Sequence, residues 1–146
     1  MPKFESKMEI DAPVEKVWQA LTNPETWPQW FPGVDEVRGV TAFAKGGTFE
    51  WVNNGKTGRA AIRQIEPMKK LEVLTQMGDD QDSHVFELRP SGGFLNMSPD
   101  ECTVDYTLDT LMGGGILAEF IAGGNPRDAM RVKKAMHLFR RVVESL

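Results

Sequence analysis

Cysteine is almost missing from this chain: Cys102 stands alone in 146 residues, so no internal disulfide can form and no zinc-site spacing exists. Histidine is nearly as scarce, with only His84 and His137. No His/Cys/carboxylate spacing suits a metal, and the expectation is for neither metal nor cofactor. No nucleophile motif appears, and Gly113-Gly114-Gly115 lacks the Lys-Ser/Thr that a phosphate-cradling loop needs. No run approaches eighteen apolar residues, so no membrane span is expected. Met1-Pro2-Lys3-Phe4-Glu5-Ser6-Lys7 has no apolar centre and does not read as a signal peptide, which makes the cytoplasm the default location. Basic residues number 17 against 21 acidic, a net charge of −4, and no basic run or stripe offers a nucleic acid a surface.

What is present is ordinary for a globular domain: 40% apolar and 26% charged residues, in a length that fits one domain over 1–146. The last stretch organises the rest. Asn125-Pro126-Arg127-Asp128 reads as a helix start, with a capping side chain, a tolerated proline and an acid in the first turn. Ala129, Val132, Met136, Phe139, Val143 and Leu146 then recur at steps of three and four. Ala135, Leu138 and Val142 widen that stripe, while Arg131, Lys134 and Arg141 fall on the other side. Twenty residues of helix span roughly 30 Å, and such a one-sided helix needs a broad surface to lie on.

The preceding chain can supply one. Phe4, Ser6, Met8 and Ile10 alternate with charges as a half-buried strand. Asp11-Ala12-Pro13 turns it into a helix with Val14, Val17, Trp18 and Leu21 on one side, and a second short helical piece covers Pro24 to Trp30. Strands are expected at Val34–Val40, Gly47–Val52 and Thr57–Ile65, the last two joined by Asn54-Gly55, a strong hairpin signal. That turn sets Trp51 opposite Gly58, Phe49 opposite Ala60, and Glu50 opposite Arg59. Further strands follow at Lys70–Met77, at His84–Leu88 after a Gly78–Asp82 loop, and at Cys102–Leu108 after an irregular Pro90–Asp100 connection. One or two helical turns are expected around Ile116–Ile121. With no βαβ unit and no repeat, the sheet reads as antiparallel.

Ile10-Asp11-Ala12-Pro13-Val14-Glu15-Lys16-Val17-Trp18, followed by Trp27-Pro28-Gln29-Trp30-Phe31-Pro32, resembles the opening of the START-like helix-grip superfamily. This is the SRPBCC group of polyketide cyclases/dehydrases and lipid-transport proteins, which includes the birch-pollen allergens. Gly46-Gly47-Thr48, Ile65-Glu66-Pro67 and the closing helix with Arg140-Arg141 resemble it too. The resemblance implies an α+β helix-grip fold: a curved antiparallel sheet of about seven strands wrapped on a long C-terminal helix, with two short helices after strand 1. It further implies an apolar cavity between sheet and helix. It does not carry a reaction with it, because the group spans carriers, cyclases and interaction modules.

The residues point to binding of an apolar or aromatic small molecule, with a cyclase or dehydratase as the alternative and a ligand-free module docking a protein partner as a third reading. The candidate wall is Phe49, Trp51, Ile62, Phe86, Met136 and Phe139, with Trp18 and Trp30 at the entrance. His84 and Tyr106, both on apolar strand phases, are the candidate polar contacts. Each also has a plain reading, as core aromatics, a satisfied strand histidine and a tyrosine bonded to backbone. His137 reads as solvent-facing, Cys102 as core, and Glu50 with Arg59 as a surface cross-strand pair.

Overall fold

A computed structural model describes residues 3–90, 101–112 and 126–146. Its elements run β1 (Lys3–Ile10), α1 (Val14–Leu21), a 3₁₀ turn (Pro24–Thr26), α2 (Trp27–Trp30), β2 (Glu36–Arg38), β3 (Thr48–Asn53), β4 (Lys56–Glu66), β5 (Lys70–Met77), β6 (Asp80–Pro90), β7 (Cys102–Met112) and α3 (Pro126–Glu144). Seven antiparallel strands form one sheet in the order β1-β7-β6-β5-β4-β3-β2. One face of the sheet carries Val104, Tyr106, Leu108, His84, Phe86, Leu71 and Val73, and it is covered by α3, α1 and α2. This is the helix-grip architecture. No described helix is long and apolar enough to cross a membrane.

Local chemistry explains the strand ends. Asn54 and Gly55 both take positive φ, 51° and 79°, the type I′ geometry whose twist suits a two-residue hairpin. The register that follows sets Trp51 opposite Gly58, Phe49 opposite Ala60 and Glu50 opposite Arg59, as expected. Glu50 and Arg59 make no ion pair with each other among the described residues; the charge that does find a partner nearby is Arg38, on Glu36. A bulge in β4 between Ile62 and Gln64 adds a residue, so Ile62 and Ile65 both turn to the covered face.

Three expectations are corrected. The second strand is only Glu36–Arg38, because Val34 closes a turn onto the Phe31 carbonyl and Gly39 leaves extended geometry at φ 65°. Gly78–Asp82 is no open loop: Gly78 at φ 63° allows a tight turn, and pairing resumes at Met77 with Asp80. The stripe of α3 holds for Val132, Ala135, Met136, Phe139 and Val143, but Ala129 and Leu146 lie exposed at its ends, beyond the sheet's cover. The expected Asn125 cap, the Ile116–Ile121 turns, Gly113–Gly115 and most of the Pro90–Asp100 connection fall outside the described residues.

Candidate functional site

The covered face divides into two halves. At one, aromatic rings fill the space beneath α3. Trp27 stacks on Phe31 with centroids 4.5 Å apart, Trp30 meets Phe139 at 4.5 Å and Phe86 at 5.6 Å, and Phe86 stacks on Tyr106 at 4.4 Å. The indole N–H groups are satisfied internally, Trp27 donating to the Leu21 carbonyl and Trp30 to the Thr26 hydroxyl. Candidate wall residues Phe49, Ile62, Phe86, Met136 and Phe139 are all buried here, and so is Trp30, expected at the entrance. Trp18 is half-buried on α1 and packs against the same core.

The other half is polar. Thr75 on β5, His84 on β6 and Tyr106 on β7 lie on a diagonal across three neighbouring strands, the reach at which offset cross-strand side chains meet. The Tyr106 hydroxyl is 2.6 Å from His84 Nδ1, and the Thr75 hydroxyl is 2.9 Å from His84 Nε2. Phe31 covers the imidazole with its ring centroid 4.7 Å away. Burial, reinforced by the charge of Arg131, holds the His84 pKa down to about 3. The ring is therefore neutral at pH 7, with one nitrogen donating and the other accepting. Its two hydroxyl partners must play opposite parts.

The short Tyr106 contact favours the phenol, the stronger acid of the two hydroxyls, as donor to Nδ1. The chain then reads Tyr106 O–H to Nδ1, Nε2–H to Thr75 Oγ1, and the Thr75 hydroxyl outward. Among the described residues the one backbone acceptor it meets, the Asp82 carbonyl, is 3.5 Å away, too far for a good hydrogen bond.

Thr75 reaches this chain from the floor of an open cleft of about 910 Å³, which is also lined by Gly33, Trp51, Asn53, Asp82 and Arg131. Gly33, at φ 74°, marks how tightly one wall converges. A β-carbon there would come 3.0 Å from Asn53 Nδ2, 3.8 Å from Arg131 Nη2 and 3.9 Å from the Trp51 ring. Asn53 donates to the Gly33 carbonyl at 2.6 Å and holds that wall in place. Trp51 lies flat over Gly58, and its indole donates to the Arg59 carbonyl at 3.1 Å. Of the candidate residues, Trp51 is the one that lines this cleft.

Arg131 is a correction. It was expected on the solvated side of the last helix, but it sits half-buried on the edge of α3 that faces the cleft. Thr75 was not singled out at all, although a threonine on the same phase as Leu71 and Val73 was a readable signal. His137 is exposed. Cys102 is buried with its thiol directed to the Thr103 carbonyl, and burial pushes its pKa up to about 11, which makes it a poor nucleophile. No group of acids, histidines and cysteines among the described residues is arranged to hold a metal.

Residues 1–144 match the family model described as polyketide cyclase / dehydrase and lipid transport. Among solved structures, MLL2253 from Mesorhizobium loti is 18% identical with a TM-score of 0.72, over 98% of this chain and 97% of that one. BH1534 from Bacillus halodurans is 19% identical with a TM-score of 0.69, over 98% and 97%. DynU16, a protein in the dynemicin biosynthetic locus, is 17% identical with a TM-score of 0.68; the match covers 99% of this chain but 48% of DynU16. At such identities the likeness speaks for the fold alone. No curated protein matches the chain.

Proposed function

This chain belongs to the polyketide cyclase / dehydrase and lipid transport family, and from that premise we propose that it binds an apolar or aromatic small molecule at the polar end of its covered face. The observation that carries this reading is the cleft of about 910 Å³ that opens beside Trp51 and has Thr75 in its floor. Such a site combines what a pocket needs: an aromatic surface for the bulk of the ligand and a few polar groups that set its orientation. Apolar burial would contribute roughly 25 cal/mol per Å² before the cost of association is subtracted. The reading keeps the cytoplasmic location expected for the chain and calls for no cofactor.

Titration with Nile red, followed through energy transfer from tryptophan, tests it. Saturable one-site binding that weakens about tenfold in Trp51→Ala and is reversed by a bicyclic aromatic competitor is the expected result. Absence of saturable binding by a protein that still unfolds cooperatively would sink the reading.

One observation favours a second reading, a cyclase or dehydratase: the Tyr106 hydroxyl sits 2.6 Å from a histidine that stays neutral in a water-poor setting. There the proton would reach the substrate from the Thr75 hydroxyl, replaced in turn from Tyr106 through His84, with positioning of the substrate supplying most of the rate. Tyr106→Phe would then abolish turnover of an aromatic polyketide while leaving its binding within a few-fold, whereas a pure carrier shows no turnover to lose.

A further inference from the structure

We propose that Thr75 makes the floor of the cleft a subsite for an uncharged acceptor oxygen, a ketone or similar carbonyl on the ligand, and that the buried Tyr106–His84 pair serves to polarise it. This deepens the binding reading above and rests on it. Thr75 is only 5% exposed, yet it lines the cleft, so among the described residues the buried chain reaches open space through this residue. With Nδ1 accepting the hydrogen bond of the Tyr106 hydroxyl and Nε2–H donating to Thr75 Oγ1, the Thr75 O–H is left as the outgoing end. Hydrogen bonds in series polarise one another, so the terminal donor is stronger than an isolated threonine hydroxyl.

Among the described residues that donor has only a 3.5 Å approach to the Asp82 carbonyl, and a better acceptor would displace it at little cost.

Charge decides between a neutral carbonyl and a carboxylate. The ionisable groups lining the cleft are Lys56 and Arg131 against Asp79, Asp80 and Asp82, two positive and three negative. A carboxylate would therefore enter a net negative cleft, whereas a ketone offers the acceptor without the repulsion. A ligand carrying only hydrocarbon would leave the Thr75 donor facing it without an acceptor, and such a mismatch is what lets a site reject an analogue that lacks one polar atom.

The test compares 1-tetralone with tetralin, the same bicyclic skeleton without the oxygen, by calorimetric titration. Wild-type protein is expected to bind 1-tetralone about tenfold more tightly, and the carbonyl stretch of the bound ketone should fall below its value in hexane. In Thr75→Val the preference should vanish through loss of the tetralone affinity, with tetralin unchanged and the carbonyl stretch back near its hexane position. Thr75→Ser, which keeps the hydroxyl, should restore both signals, a rescue that a merely structural role for Thr75 does not predict. Equal binding of the two probes to the wild type, or a preference that survives in Thr75→Val, overturns the acceptor subsite while leaving the cleft intact. Failure of both probes to bind overturns the cleft itself and the subsite with it.

Discussion

Two halves of one sheet face behave as different materials. Under the middle of α3, Trp30, Phe86, Met136 and Phe139 are buried against one another, and the Trp30 indole N–H is satisfied by Thr26. Toward the β5–β6 hairpin the same alternation delivers Thr75, His84 and Asp82, and the face opens into a cleft. The strands are continuous across both halves, so backbone geometry does not distinguish them. Side-chain size does: aromatics that bury roughly 150–250 Å² of surface each close the first half, while threonine, glycine and asparagine leave space at the second. The lesson is that a helix-grip protein can fill most of its grip and still leave a cleft where the filling stops.

The comparison breaks most severely in the aromatic half. Phe139→Ala should cost about 3–5 kcal/mol in urea unfolding, because rings that already interdigitate cannot collapse into the void. The relative affinities for two cleft ligands should survive in whatever fraction stays folded.

The polar half is where acid should act. The folded pKa of His84, about 3, lies below the ordinary 6.5, so the native state resists a proton that the unfolded chain accepts. The stability this group supports is complete above pH 6.5 and is lost progressively as the pH falls toward 3. The loss should reach about 2 kcal/mol by pH 5, read from unfolding midpoints across pH. His84→Gln should flatten the part of the slope above pH 5, where few carboxylates titrate. A slope unchanged in that variant would mean the histidine is not the sensor.

At the boundary between the halves, Gly58→Ala would set a β-carbon 2.5 Å from the Gln76 carbonyl and 2.7 Å from Trp51 Nε1. A cost of about 1–3 kcal/mol is expected, with a red shift in Trp51 emission as the ring is lifted into the cleft. The smallest effect belongs outside both halves. Glu144 accepts from the Asp11 backbone N–H at 3.0 Å and from Arg140 at 3.1 Å, tying the end of α3 to the β1–α1 corner at the surface. Glu144→Gln should cost under about 1 kcal/mol by thermal unfolding, since water competes for the same bonds.

The alternation of most strands and the register of the β3–β4 hairpin were legible before any coordinates, as the pairing of Phe49 with Ala60 and Trp51 with Gly58 shows, whereas which phase lies under the helix was not. Alternation is a local signal and survives folding unchanged. His84 and Tyr106 were legible as polar residues on apolar strand phases for the same reason. Their bond was not, because it spans 22 positions of sequence and depends on the register of β6 with β7. Thr75 escaped notice because a threonine in a strand is commonplace until its diagonal neighbour is known. Arg131 was misplaced because helical periodicity ranks a position as polar or apolar, whereas the edge of a helix is defined by what it packs against.

By itself, then, the sequence determined the order of elements, the tight turn at Asn54-Gly55, the alternation of most strands and the family, all of which follow from near-neighbour chemistry repeated along the chain. Tertiary structure alone decided that the aromatic half closes, that Thr75, His84 and Tyr106 form one hydrogen-bonded line, and that Arg131 stands over a cleft. Those facts rest on distances between strands and on whether side-chain volumes from distant segments fill a shared space, quantities that exist only once the sheet has curled around its helix.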